Sequence, residues 1–143
     1  MPTCQQGVTN VTARILVCDD EAHIVRAAEF KLRKAGFEVI TASDGEEGWT
    51  AVLEHRPDLV IVDCQMPYLT GLEMSKRIMN HEEISGTPVL MLTAKGYELS
   101  EQLARSEYGV SKIMLKPFSP RALVAEAHAM LATNEARSAE ATL

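Results

Sequence analysis

The chain has 143 residues, 46% hydrophobic and 24% charged, enough for one domain that folds without a disulfide or metal staple. Its 14 Lys and Arg against 20 Asp and Glu, with 5% aromatics, exclude the basic footprint and stacking platform of a nucleic-acid binder. No apolar run approaches the ~20 residues of a membrane span, and the first twelve residues lack the regions of a signal peptide. A cytoplasmic protein with no direct nucleic-acid or membrane partner is expected.

Residues 1–12 are polar and read as a flexible tail. Arg14–Cys18 is the first short apolar run. The segment 22–35 then places Ile24, Ala28, Leu32 and Ala35 on one helical stripe, with Gly36 as the stop. Glu38–Ala42 alternates, which suits an edge strand. Asp44 with Glu47 three residues on is a capping-box pattern opening a helix whose apolar face is Trp49, Val52 and Leu53. Gly48 in that helix is expected to make room for Trp49. Leu59–Asp63 is a continuous apolar strand, and Thr70 caps a helix facing inward through Leu72, Ser75, Ile78 and Met79. Pro88–Thr93 is the fourth strand, and 97–108 a weaker helix with Leu99 and Leu103. Ile113–Lys116 is the fifth strand. Ser119 and Pro120 start a last helix with the stripe Leu123, Val124, Ala127, Met130 and Leu131. Residues 133–143 are polar and Ala-rich, a frayed helix end or tail.

This alternation predicts an α/β fold: (βα)5, a doubly wound five-stranded parallel sheet with helices on both faces and right-handed crossovers. The folded unit is expected over residues 13–132. Cys4, Cys18 and Cys64 are sparse and odd in number, without metal or disulfide spacing. Cys18 reads as a small buried hydrophobe. Cys64 follows a strand-end carboxylate, which disfavours a thiolate, so packing under the sheet is expected. The four histidines, His23, His55, His81 and His128, are dispersed without metal-ligand spacing and read as surface or helix-face residues.

Open α/β sheets bind ligands at the carboxyl ends of their strands. Asp19, Asp20 and Glu21 end the first strand here, Asp63 the third, Thr93 the fourth and Lys116 the fifth. One such Asp is usually a turn or cap residue, but four strand ends carrying compatible chemistry are hard to reduce to capping. Crowded carboxylates with no His or Cys suit Mg2+. With a lysine, a hydroxyl and a carboxylate nucleophile, they suit phosphoryl chemistry.

The chain resembles the receiver domain of two-component response regulators, the CheY-like, flavodoxin-like fold with strand order 2-1-3-4-5. The resemblance rests on Asp19–Asp20–Glu21, on Pro57 through Asp63, on Met66–Pro67 and Gly71, on Thr93–Ala94 and on Lys116–Pro117–Phe118. It implies that Asp63 is the phosphoacceptor and that Asp20 and Asp63 are direct Mg2+ ligands. Asp19 would act mostly through metal-bound water, and the backbone carbonyl of Gln65 would complete the protein ligands. Lys116 would contact the phosphoryl group and Thr93 would be the switch hydroxyl. It further implies a cis Lys116–Pro117 bond and a signalling module rather than an enzyme, one that assists its own phosphorylation and dephosphorylation. A histidine kinase or histidine phosphotransfer protein would be the donor, docking near Ile24 and Phe118. A downstream target protein would bind the fourth helix, fifth strand and fifth helix, near Leu99.

Two departures stand out. Ile113 occupies a position where the family often carries Tyr or Phe, so aromatic switching is not expected in its usual form. Gln65 and Lys95 lie two residues past Asp63 and Thr93, positions that in the family tune the access of water to the acyl phosphate, so the resemblance implies that they set the phosphoryl lifetime. An alternative reading is a Mg2+-dependent phosphatase of the haloacid dehalogenase type. It needs two aspartates two residues apart after the first strand, whereas Asp19 and Asp20 are adjacent. A flavodoxin needs a Ser/Thr/Gly-rich phosphate loop where this chain has an acidic run. With the length spent on the receiver, two expectations stand: output through a partner protein, or a receiver cut from a longer protein.

Overall fold

Sheet order is set by where the most apolar strands can be covered twice. The computed structural model describes residues 12–94 and 100–141, with side chains through Thr133. In chain order the elements are β1 (Arg14–Cys18), α1 (Ala22–Lys34), β2 (Glu38–Ala42), α2 (Gly45–His55), β3 (Leu59–Asp63), α3 (Gly71–Met79), β4 (Val89–Ala94), α4 (Glu101–Tyr108), β5 (Lys112–Lys116) and α5 (Pro120–Ala141). The strands form one sheet in the order β2-β1-β3-β4-β5, all pairs parallel. This is the expected 2-1-3-4-5 arrangement.

The inner strands β1, β3 and β4 are almost wholly buried, as their continuous apolar sequences require. At the edges, β2 exposes Glu38 and Thr41, and β5 exposes Lys112 and Leu115. Alternate side chains go to opposite faces. Leu16, Cys18, Val60, Val62 and Met91 pack under α2, α3 and α4. Ile15, Val17, Ile61, Leu90 and Leu92 pack under α1 and α5, against Leu32, Leu123 and Ala127. Truncating a side chain such as Leu32, fully buried here, to Ala costs about 2–5 kcal/mol.

Capping follows the sequence. Asp44 Oδ1 accepts from the Glu47 amide at 2.8 Å, while the Glu47 carboxylate accepts from Ser43 rather than from the cap residue itself. Thr70 and Glu73 form a complete capping box. Ser119 Oγ accepts from the Ala122 amide at 3.0 Å. Cys18 is a core residue, donating to the Asp44 carbonyl at 3.2 Å, and burial pushes its thiol up to about 12. Cys64 is buried as expected.

Several helix details differ from the sequence reading. Ala35 lies beyond the end of α1 and is exposed, and Leu53 points outward from α2. Gly48 makes room not for Trp49 but for Cys18: a Cβ there would stand 2.6 Å from Cys18 Sγ and 3.1 Å from Met74 Sδ. Met74, absent from the predicted stripe of α3, is fully buried, whereas Leu72 and Met79 are half-buried. Helix α4 starts at Glu101, capped by Ser100. Its buried residue is Ala104, with Leu103 half exposed. Leu99 and Lys95 lie outside the described residues, as does Cys4.

Candidate functional site

The parallel register brings the strand ends together. Cys18 pairs with Val62, so Asp19 and Asp63 follow side by side at one edge of the sheet. Across β4, Thr93 pairs with Leu115 and Ala94 with Lys116. Asp19 is fully buried and Asp63 nearly so, while Asp20 is exposed. One carboxylate oxygen from each of the three lies within 4.8 Å of the others.

Lys116 ties the cluster together. Its Nζ lies 2.8 Å from Asp19 Oδ2, 2.8 Å from Glu21 Oε2 and 3.1 Å from Asp63 Oδ1, with only 12% of its side chain exposed. The Lys116–Pro117 bond is cis, as the resemblance implies. Asp19 Oδ1 accepts from the Glu21 amide at 2.9 Å. Its buried Oδ2 receives no well-directed hydrogen bond, for the Lys116 contact is close but poorly aligned.

Electrostatics follow from this crowding. Burial first, and then the charge of Asp19, raises the Asp63 carboxyl from 3.8 to about 6, although Lys116 pulls it down. For Lys116 burial works against the charge, but the neighbouring Asp19, Glu21 and Asp63 carboxylates outweigh it and raise its pKa. The hydrogen bond from Lys116 holds Glu21 below the usual carboxylate range.

A cavity of about 200 Å³ opens on this cluster, lined by Asp20, Glu21, Asp63, Gln65, Ala94 and Lys116 among others. Gln65 is exposed at its rim, and Thr93 is buried at the same sheet edge without lining it. Ile113 is half-buried against the core under α2, α3 and α4. The backbone of Cys64, the residue after Asp63, is held from both sides. Cys64 donates to the Leu92 carbonyl at 2.8 Å and accepts from the Gly71 amide at 3.0 Å. A Cβ at Gly71 would run into the Asp63 carbonyl oxygen, so only glycine lets α3 begin this close.

The donor set suits a hard cation. Three carboxylates converge with no nitrogen or sulfur ligand among them, and one buried oxygen, Asp19 Oδ2, lacks an aligned donor. Asp19, Asp20 and Asp63 could therefore hold Mg2+. Beside the cavity runs an apolar cleft of about 640 Å³ between α1 and the β5–α5 loop, lined by Ile24, Ala27, Pro117 and Phe118 among others. Glu21, Ala94 and Lys116 line both spaces. The sequence placed Glu21 among the strand-end carboxylates but gave it no role. Its bond to Lys116 spans 95 residues and has no local signal.

A doubly wound sheet of order 2-1-3-4-5, with an acidic trio and a lysine at its carboxyl edge, is an arrangement suited to phosphoryl chemistry. Comparison with known proteins agrees. The model of the response regulator receiver domain matches residues 15–128, and the chain belongs to that family. It is 41% identical, over 122 residues, to the alkaline phosphatase synthesis transcriptional regulatory protein PhoP of Bacillus subtilis, covering 85% of this chain and 50% of that protein. Among solved structures it is similar to the chemotaxis protein CheY4 of Vibrio cholerae, with a TM-score of 0.75, 30% identity, and coverage of 82% of this chain and 98% of that one. A CheY-like receiver domain protein of Methanospirillum hungatei gives a TM-score of 0.80 at 25% identity, covering 89% and 99%. The chain spans about half the length of the curated relatives it matches. These findings give no support to the phosphatase reading. Among the described residues no helix is long and apolar enough to cross a membrane.

Proposed function

We propose that Asp63 is the phosphoacceptor of this receiver domain. The observation that carries the reading is the Lys116 ammonium set between Asp19 and Asp63 at the floor of an open cavity, with Asp20 alongside. With a small donor such as acetyl phosphate, an Asp63 oxygen attacks phosphorus, the bond from phosphorus to the acetate oxygen breaks, and acetate leaves with the electron pair. Lys116 neutralises charge on the transferred oxygens, and Thr93 supplies a hydroxyl at the neighbouring strand end. Asp19, Asp20, Asp63 and the Gln65 carbonyl are the proposed Mg2+ ligands. When bound, the ion offsets the charge that develops on the phosphoryl oxygens.

The donor in the cell is a histidine kinase or histidine phosphotransfer protein in the cytoplasm. The apolar cleft around Ile24 and Phe118 supports docking there. Phosphorylation adds about −1.5 to −2 charge for a phosphomonoester, and a similar amount here. That charge biases the loops around Thr93 and Gln65 and switches binding of a downstream protein. The module, over residues 13–132, assists its own phosphorylation and dephosphorylation without turning over an external substrate. The test is incubation with acetyl phosphate and Mg2+ followed by intact-mass measurement. One phosphoryl increment, lost in Asp63→Asn, is expected. No increment, or repeated turnover of phosphate monoesters, would contradict the reading.

A further inference from the structure

The geometry points to Glu21 as a positioning residue that restrains Lys116, an inference that rests on the phosphoacceptor reading above. Lys116 Nζ has three carboxylate neighbours, and only two of them, Asp19 and Asp63, belong to the reaction cluster at the strand ends. The third, Glu21, reaches it at 2.8 Å with a well-formed hydrogen bond, as short as any contact the lysine makes. Glu21 stands outside the trio of converging aspartates, and its side chain is about half exposed. Its bond to Lys116 therefore competes with the place the ammonium must take on a transferred phosphoryl group. Whatever draws Asp19 and Asp63 toward a cation leaves Glu21 as the lysine's remaining partner and strengthens the restraint.

Glu21 and Lys116 also line both the reaction cavity and the apolar cleft. The restraint is thus accessible from the side on which a phosphodonor protein docks, and a small donor in the cavity must react with it in place. Glu21 sets how readily Lys116 serves the phosphoryl group.

Two variants separate restraint from simple charge. Glu21→Gln removes the charge, whereas Glu21→Asp keeps it on a side chain one methylene too short to hold Lys116. Labelling by acetyl phosphate with Mg2+ should accelerate in both variants by about two- to fivefold, the range carried by a partly exposed ion pair. Acceleration in Glu21→Gln alone would reduce the effect to field strength and overturn the proposal, as would unchanged rates in both. A second readout needs no reaction. In the metal-free protein the Lys116 15Nζ resonance should shift in both variants, and an unmoved resonance would show that Glu21 does not hold the lysine. Absence of labelling in the wild type, by contrast, would refute the phosphoacceptor reading itself, while the resonance would still decide the contact.

Discussion

Replacing Asp63 with Asn removes a charge that the fold holds against its own surroundings. Asp63 is 7% exposed, and burial together with Asp19 raises its carboxyl from 3.8 to about 6, net of the attraction to Lys116. The folded state thus binds the proton more tightly than the unfolded chain, and stability falls as pH rises between these two values. At about 1.4 kcal/mol per pH unit the penalty above pH 6 reaches about 3 kcal/mol, and it vanishes below about pH 4. An Asn of the same shape, still offering Oδ1 to Lys116, escapes it. In metal-free buffer Asp63→Asn should melt about 5–10 °C above wild type at pH 7.5 and nearly with it at pH 4. The measurement is thermal unfolding by circular dichroism across that range. A variant less stable than wild type at pH 7.5, or a difference that does not change with pH, would refute the argument that carboxylate crowding costs stability.

Other consequences follow from the same geometry. Mg2+ affinity should fall about tenfold from pH 7.5 to pH 5 as Asp63, at about 6, takes up the proton that competes with the ion; calorimetric titration showing no such fall would contradict its place among the ligands. Gly48→Ala drives a Cβ into Cys18 Sγ and should destabilise the fold by about 1–2 kcal/mol in urea, overpacking outweighing the gain in helix propensity. Adding Cys18→Ala should recover part of that loss. A single Gly48→Ala more stable than wild type would show that the close approach is not real.

The strands and the site were legible because each rests on a local signal. Continuous apolar runs mark β1, β3 and β4 as doubly covered, and the alternation of Glu38–Ala42 marks an edge. Each run stops at a polar residue that the parallel register then gathers at one edge, so Asp19, Asp63 and Lys116 meet there, with Thr93 buried at the same edge. Helix faces were less legible. A stripe fixes which residues share a side, not which part of that side meets the sheet. The stripe therefore misses Met74, which is fully buried, and points Leu53 inward, which is exposed. Gly48 stands beside Trp49 in the chain, but its close contact is Cys18 on β1. The Glu21–Lys116 bond is a tertiary contact between a helix entry and a strand end. No periodicity reports it.

Site-level mapping of the phosphoryl group tests the central claim most directly. After reaction with acetyl phosphate and Mg2+, borohydride reduction converts an aspartyl phosphate to homoserine, which peptide mass spectrometry locates. Reduction at Asp63 alone, absent when Mg2+ is withheld, is the expected result. Reduction at Asp19 or Asp20, or none in a protein that binds Mg2+, would contradict the assignment of Asp63 as the phosphoacceptor.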